Sequence, residues 1–227
     1  MKAIKILLTS FLVIAIFSVG CKTWNKSQKG AVIGAAGGGV TGAVIGKATG
    51  NTALGAIIGA TVGGVAGAVI GHQMDKQAEE MKKTIPDAQV IRVGEGIVIE
   101  FNSKILFGFD QSALTADAQA SLNKLVDILQ KYPNTNIEVQ GHTDSKGSTN
   151  YNQALSERRA STVSYYISGN GIVTSRLTIN GFGETMPKYS NTTEDGQTQN
   201  RRVEFLIAAN EKMKADAAKE AEKSGGK

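Results

Sequence analysis

The sequence predicts an α+β fold in the second half of the chain, preceded by a glycine-rich segment that predicts a helical hairpin. From about residue 95 to residue 210, stretches with the two-residue period of strands alternate with stretches that have the 3.6-residue period of helices. Their order is β-α-β-α-β-β, which favours a mixed sheet with both helices on one face. Between residues 30 and 71, by contrast, glycine recurs at every fourth position.

The first strand and the first helix of the predicted domain follow from clear periodicities. Ile97, Ile99 and Phe101 alternate along the strand, as side chains on one face of a sheet do. The helix is predicted from about Thr115 to Lys131, because four apolar residues follow its i, i+3, i+4, i+7 spacing: Leu122, Leu125, Val126 and Leu129. Pro133 lies just beyond its end.

The second strand and the second helix enclose a polar loop. The strand is predicted over residues 136–140 and ends at Gly141. The helix is predicted to begin near Asn150, a favourable N-cap, with Gln153 in a capping-box position. Two further strands complete the sheet, one with Leu177 and Ile179 and one with three alternating apolar residues: Val203, Phe205 and Ile207.

The polar loop and the second helix carry a pair of opposite charges that could form a binding site. Asp144 follows the end of the strand, where ligands often bind in sheet-and-helix domains. Asn152, Leu155 and Arg159 fall on a single face of the helix, whereas Arg158 points about 100° away. An aspartate and an arginine in this arrangement suit a ligand with both an ammonium and a carboxylate. The alternative is a structural ion pair between the two side chains.

The run from Gly141 to Ala160 closely resembles the signature of the OmpA-like domain, the peptidoglycan-binding module of outer-membrane protein A, Pal and MotB relatives. The family pattern Leu-Ser-x-x-Arg-Ala coincides with residues 155–160 and selects Arg159. The resemblance implies that Asp144 and Arg159 hold the diaminopimelate of the stem peptide, and it adds Thr143 and Asn152 to the expected ligand-binding residues. No covalent chemistry is required.

Two adjacent arginines, Arg201 and Arg202, resemble the Asn-Arg-Arg-Val-Glu strand of the same family. By this resemblance one of them either braces the ligand loop or contacts the ligand, and we expect Arg202 to be that residue. The alternative is that both lie solvated at the edge of a strand.

The N-terminus has the pattern of a bacterial lipoprotein signal. Lys2 and Lys5 precede an apolar run over residues 6–19, which is too short to predict a membrane span. The lone Cys21 then resembles the lipidated cysteine of a lipobox, although Ser18 stands where leucine is usual. An ordinary signal peptide followed by a free cysteine is the alternative. Lys22 favours the outer membrane, because it is not the aspartate that retains enteric lipoproteins in the inner membrane.

The glycine-rich segment forms two ladders with a period of four residues. They are Gly30, Gly34, Gly38, Gly42, Gly46, Gly50 and then Gly55, Gly59, Gly63, Gly67, Gly71. Such spacing allows helices in a bilayer to approach closely. The pattern predicts a hairpin that bends at residues 48–53 and is similar to the glycine zippers ahead of the OmpA-like domain in some outer-membrane lipoproteins. A spanning hairpin, an oligomer of hairpins and a flexible linker all fit, and we favour association with the membrane.

Composition argues against several other classes of function. The net charge of +5 falls to +3 without Lys2 and Lys5, and no basic patch interleaved with aromatic residues predicts nucleic-acid binding. With two histidines and one cysteine we expect neither a metal nor another cofactor. His142, Asp144 and Ser156 lack the nucleophile elbow of a hydrolase, so we expect no enzyme and predict that His142 is a structural hydrogen-bonding residue.

The sequence therefore predicts an outer-membrane lipoprotein whose OmpA-like domain faces the periplasm. Its expected partners are peptidoglycan, membrane lipid and, through the zipper, further copies of itself. The alternative function is a wall-anchored oligomeric component of an envelope assembly or channel, with a wall hydrolase a distant third. The predicted segments are a signal peptide (1–20), a lipidated linker (21–29), the glycine-zipper hairpin (30–71), a linker or stalk (72–94) that is helical from Gln73 to Lys83, the OmpA-like domain (95–210) and a charged tail (211–227) that is either a frayed helix or disordered.

Overall fold

The computed structural model describes residues 64–108 and 110–225. In chain order the elements are α1 (Val65–Thr84), β1 (Gln89–Val93), β2 (Gly96–Asn102), α2 (Ser103–Leu106), α3 (Ala116–Lys131), β3 (Thr135–Gly141), α4 (Thr149–Gly169), a 3-10 turn (Thr174–Arg176), β4 (Leu177–Gly181), α5 (Glu194–Asn200), β5 (Arg202–Ala209) and α6 (Glu211–Gly225).

The strands form one mixed sheet in the order β1-β2-β5-β3-β4. Its pairs are antiparallel except for β3 and β4, which are parallel and are connected by α4. Because β5 lies between β2 and β3, the last strand of the sheet brings residues near 201 beside the loop that follows β3. The predicted α+β class with a mixed sheet is confirmed.

The main hydrophobic core lies between one face of the sheet and the long helices, and a smaller cluster contains Val98 and Leu206. The alternating residues predicted for β2 and β5 face the main core, and Phe101 packs edge-on against Phe205 at a ring-centroid distance of 5.8 Å. The predicted apolar stripe of α3, from Leu122 to Leu129, is buried in the same core. The helix begins where Thr115 accepts a hydrogen bond from the backbone N–H of Ala118, at 3.0 Å.

The segment predicted to be a stalk is instead part of this core. Helix α1 begins at Val65, inside the second glycine ladder, and buries Ile70, Met74 and Met81 completely. These residues lie on one face of the helix, which packs against β1, β2 and α3. Most side chains of this segment are polar and its apolar stripe is narrow. Its composition therefore resembles that of a solvated stalk, which explains the mistaken prediction. Strand β1, which the sequence analysis did not predict, pairs with β2 beneath α1.

Of the two states predicted for the tail, a frayed helix or disorder, residues 211–225 form a helix, and this helix packs against the domain. Helix α6 begins after Asn210, whose side chain accepts a hydrogen bond from the N–H of Met213 at 2.9 Å. Met213 and Ala217, one turn apart, are buried against α1. Two apolar residues among many charges give only a weak sequence signal, and the partner surface on α1 is what makes the helix favourable.

Most of the glycine ladders, the signal segment and Cys21 lie outside the described residues. Only Gly67 and Gly71 fall in α1, as the end of the second ladder. Within residues 64–108 and 110–225, no helix has both the length and the apolar character required to cross a bilayer.

Candidate ligand-binding site

The loop between β3 and α4 is held tightly against the helix that follows it. A Cβ at Gly141 would lie 2.1 Å from the carbonyl oxygen of Ser156, so only glycine allows the end of β3 to pack on α4. Gly147 has a φ of 103° and turns the chain into the helix. Helix α4 begins at Thr149 with Ser148 as its N-cap, two residues earlier than the Asn150 cap that the sequence predicted.

Asp144 is buried, with 5% of its surface exposed, and its carboxylate is engaged on both oxygens. Oδ1 accepts a hydrogen bond from the backbone N–H of Lys146 at 3.0 Å, and Oδ2 forms an ion pair with Nη1 of Arg201. Arg201 is itself positioned by a 2.7 Å hydrogen bond from Nη2 to the hydroxyl of Thr198. These two contacts fix the carboxylate of Asp144 in place at the rim of the loop.

Arg159 lies on the face of α4 that the helical periodicity predicted, and only 5% of its surface is exposed. Its Nε donates to the carbonyl oxygen of Gln111 at 3.0 Å, and its guanidinium carbon lies 5.2 Å from the centroid of the Phe107 ring. Among the described residues, no carboxylate forms an ion pair with it. The alternative of a structural ion pair between Asp144 and Arg159 therefore does not hold.

The electrostatic surroundings of Arg159 contain opposing contributions. Burial lowers the pKa of its guanidinium, and the nearby positive charge of Arg201 lowers it further, whereas the carboxylates of Asp110 and Asp144 raise it. An arginine keeps its proton in proteins, so the lowered pKa describes a cation that has lost much of its hydration. A carboxylate of a ligand would restore that stabilisation.

Thr143 and Asn152 brace the loop. The backbone N–H of Thr143 donates to the carbonyl oxygen of Gly183, and its hydroxyl donates to that of Asp144, both at 2.9 Å. Nδ2 of Asn152 donates to the same Asp144 carbonyl at 3.3 Å and to the carboxylate of Glu184. Both side chains, which we had expected at the ligand, are almost fully buried and fix the position of Asp144.

Of the two adjacent arginines, Arg201 and not Arg202 forms the ion pair with Asp144. Arg202 is 2% exposed, and its Nε forms an ion pair with Glu204 at 2.6 Å, in the direction away from Asp144. Successive residues of an extended chain point to opposite faces. Arg201 lies two residues before Val203, so both side chains point to the face of the sheet that packs against the helices. This alternation can be read from the sequence.

His142 packs by stacking and not through the hydrogen bonds that we predicted. It is 1% exposed, its ring lies parallel to that of Phe182 at 5.4 Å, and neither ring nitrogen has a hydrogen-bond partner in the described part of the chain. Burial, together with the positive charges of Arg202 and Lys188, holds the pKa of His142 well below its usual value. The neutral ring is a fixed support beneath the loop that carries Asp144.

Sequence reasoning missed three groups that complete the site. Gln111 and Phe107, in the segment between α2 and α3, position the guanidinium of Arg159 from outside α4. Glu184, in the segment after β4, accepts hydrogen bonds from Asn152 and, at 3.1 Å, from the hydroxyl of Thr149. The site thus gathers residues from four separate segments. Within the part of the chain that the structure describes, the buried guanidinium of Arg159 has no ionic partner, whereas the nearby carboxylate of Asp144 is paired with Arg201.

Two family models match the chain. Residues 106–201 match the OmpA family, and residues 1–75 match the YMGG-like Gly-zipper family. The chain is 34% identical to the outer-membrane lipoprotein YfiB of Pseudomonas aeruginosa over 115 residues, which are 51% of this chain and 68% of that protein. It is 32% identical to the peptidoglycan-associated lipoprotein of Brucella melitensis over 113 residues, which are 50% of this chain and 67% of that protein.

The fold is also similar to that of a solved structure. A MotB-like protein from Desulfovibrio vulgaris superposes with a TM-score of 0.58 at 27% sequence identity, covering 62% of this chain and 94% of that one. Other curated relatives are matched over part of their length, since the chain spans 16% to 61% of four of them.

Proposed function

The chain belongs to the OmpA family, and on that premise we propose that it anchors the outer membrane to peptidoglycan by binding the stem peptide non-covalently. The observation that carries the proposal is the buried guanidinium of Arg159, which has no carboxylate partner among the described residues and lies on the face of α4 that carries Asn152. A buried cation without a partner is costly, and a ligand carboxylate would supply that partner.

The ligand that fits best is diaminopimelate, because it ends in an ammonium beside a carboxylate. Arg159 binds the carboxylate through its Nη atoms while its Nε remains on Gln111. Asp144 accepts from the ammonium through lone pairs that Lys146 and Arg201 leave available, since an ionised carboxylate offers about four acceptor sites. Thr143 and Asn152 hold the loop in position, and no step of bond making or breaking is involved.

Cys21 provides the membrane attachment in this proposal. Two of the relatives above are lipoproteins by name, and the signal-like residues 1–20 precede the lone cysteine. Stable anchoring takes two acyl chains or more, which a diacylated and N-acylated cysteine supplies. The domain then reaches the wall from the periplasmic side of the outer membrane.

Binding of the isolated stem peptide to the full-length protein in detergent tests the proposal. Asp144→Ala and Arg159→Ala should each weaken binding by about 2–5 kcal/mol, or roughly 30-fold and more, because each leaves a ligand charge unpaired. Arg158→Ala is the matched control, since it removes the neighbouring guanidinium on a different face of α4. Wild-type affinity in both site variants, together with loss in the control, would show that the guanidinium is wrongly assigned.

Free diaminopimelate gives a second measurement on the same proteins. It should compete with peptidoglycan sacculi for the wild-type protein, whereas lysine should compete poorly because it lacks the carboxylate at the far end of its side chain. Equal competition by the two amino acids would contradict the role of Arg159.

A second function is favoured by the match of residues 1–75 to the Gly-zipper family. In this alternative the zipper assembles copies of the chain into an envelope complex, and the OmpA-like domain only attaches that complex to the wall. The size of the full-length protein in detergent separates the two functions: monomers indicate a tether, and a ring of defined size indicates an assembly.

A further inference from the structure

A shallow groove with a volume of about 600 Å³ runs along the outer face of α4, apart from the residues assigned above. Three hydroxyl side chains, two charged ones and one aromatic ring line it: Ser112, Ser161, Thr162, Glu157, Arg158 and Tyr165. Such a lining combines a flat apolar ring with many hydrogen-bonding groups, which is how proteins hold polar ligands in a fixed orientation.

The groove adjoins the stem-peptide site directly. Ser112 follows Gln111, whose carbonyl oxygen accepts the hydrogen bond from Nε of Arg159. Arg158 precedes Arg159 in α4 and points about 100° around the helix, into the groove. From Arg158 to Tyr165 the groove follows two turns of α4, which are about 10 Å long at 1.5 Å per residue. A polymer bound at Arg159 would therefore continue into this groove.

The side chain of Tyr165 is exposed and is not part of the hydrophobic core. Its exposed fraction is 71%, the highest among the large hydrophobic side chains described, whereas the adjacent Tyr166 donates a 2.9 Å hydrogen bond to Asn123 and packs against the core. Arg158 likewise forms no ion pair within the described residues. A free ring and a free guanidinium on one groove are available to a ligand.

We propose that this groove binds the hexosamine glycan of peptidoglycan while the adjoining site holds the stem peptide. The inference rests on the proposed function, because the glycan is covalently joined to the peptide that Arg159 would bind. The ring of Tyr165 packs on the apolar face of a pyranose, and Arg158 donates to its acetamido carbonyl and hydroxyl oxygens. The hydroxyls of Ser112 and Ser161 complete the contacts with a ligand that is neutral and rich in hydroxyl groups.

The affinities of three ligands for the full-length protein in detergent test the inference. The ligands are the free stem tetrapeptide with diaminopimelate, the same tetrapeptide on its disaccharide, and glycan strands from which an amidase has removed the peptides. The wild-type protein should bind the disaccharide tetrapeptide about 5- to 10-fold more tightly than the free peptide. Tyr165→Ala should abolish that difference and leave the affinity for the free peptide within about twofold.

Two control variants test whether the effect of Tyr165→Ala is caused by loss of the aromatic ring or by the change of any exposed apolar side chain. Tyr165→Phe keeps the ring and should keep most of the difference. Val173→Ala removes another exposed apolar side chain, 60% exposed and outside the groove, and should change nothing. Both Tyr165 and Val173 are exposed, so the domain should remain folded in every variant.

The glycan strands distinguish failure of this inference from failure of the proposed function. Asp144→Ala should weaken binding of the free peptide by roughly 30-fold or more and leave weak binding of the peptide-free strands unchanged. Equal affinity of the wild-type protein for the two peptide ligands would overturn the glycan groove, and so would a Tyr165→Ala variant that binds all three ligands like wild type. If the free peptide does not bind at all, the proposed function fails first.

Discussion

Replacing Met74 with alanine tests whether α1 is part of the folded domain or only a connection to it. The side chain of Met74 is fully buried in the core that also contains Ile97 and Phe101. Truncation of a buried methionine typically costs about 2–5 kcal/mol, because the apolar contacts are lost and a cavity remains. A domain of this size loses roughly 2–4 °C of melting temperature per kcal/mol, so we expect a decrease of about 4–20 °C.

Urea denaturation of the full-length protein in detergent, followed by circular dichroism, measures the loss of unfolding free energy, and thermal denaturation of the same samples measures the shift in melting temperature. Asp75→Ala is the matched control one residue away: it removes only an exposed ion pair with Arg92, which is worth about 1 kcal/mol or less. Unfolding of the domain at the wild-type urea concentration in Met74→Ala would refute the packing of α1, because a solvated stalk contributes nothing to the core.

Three further predictions concern the lipid, the zipper and pH. Cys21→Ser should block lipid labelling and leave the precursor uncleaved by the lipoprotein peptidase; persistent labelling would refute lipidation at that residue. Gly38→Leu should weaken membrane insertion or oligomerisation because it separates close helices, whereas Gly37→Ala, about 100° away, should not; identical protease protection in both variants would favour a flexible linker. The lowered pKa of His142 means that the unfolded chain binds its proton more readily, so stability should fall as the pH decreases below about 6.5 and remain unaffected above it. His142→Phe should flatten that part of the pH profile of the urea midpoint, and an unchanged slope would contradict the assignment.

The parts of the fold that could be predicted are those with a local signal. The strands containing Ile97 and Val203 and the helix containing Leu122 each bury a dense, periodic set of residues, and all of them occur where the sequence places them. The packing of helices α1 and α6 against the domain was not predicted, because their buried stripes are narrow and consist partly of alanine. The two helices are stabilised by packing against each other and against the sheet. These contacts join distant parts of the chain, so they are not visible in the sequence of either helix alone.

The residues of the candidate site also fall into two groups, those with a local signal in the sequence and those that only the fold brings together. Asp144 and Arg159 lie fifteen residues apart on a loop and the helix after it, so their proximity could be predicted from the sequence alone. Arg201 lies 57 residues from Asp144 along the chain and reaches it only because β5 pairs antiparallel with β3. Only the alternation of side chains along the strand distinguishes the two adjacent arginines. Arg202, which we had expected at the ligand, forms an ion pair with Glu204 instead.

A structure of the protein with a stem tripeptide containing diaminopimelate tests the central claim most directly. The account predicts that the terminal carboxylate of diaminopimelate lies within hydrogen-bond distance of the Nη atoms of Arg159, with its ammonium on the carboxylate of Asp144. A peptide bound elsewhere on the domain, or bound at this site with Arg159 still making only its contacts with Gln111 and Phe107, would contradict the account.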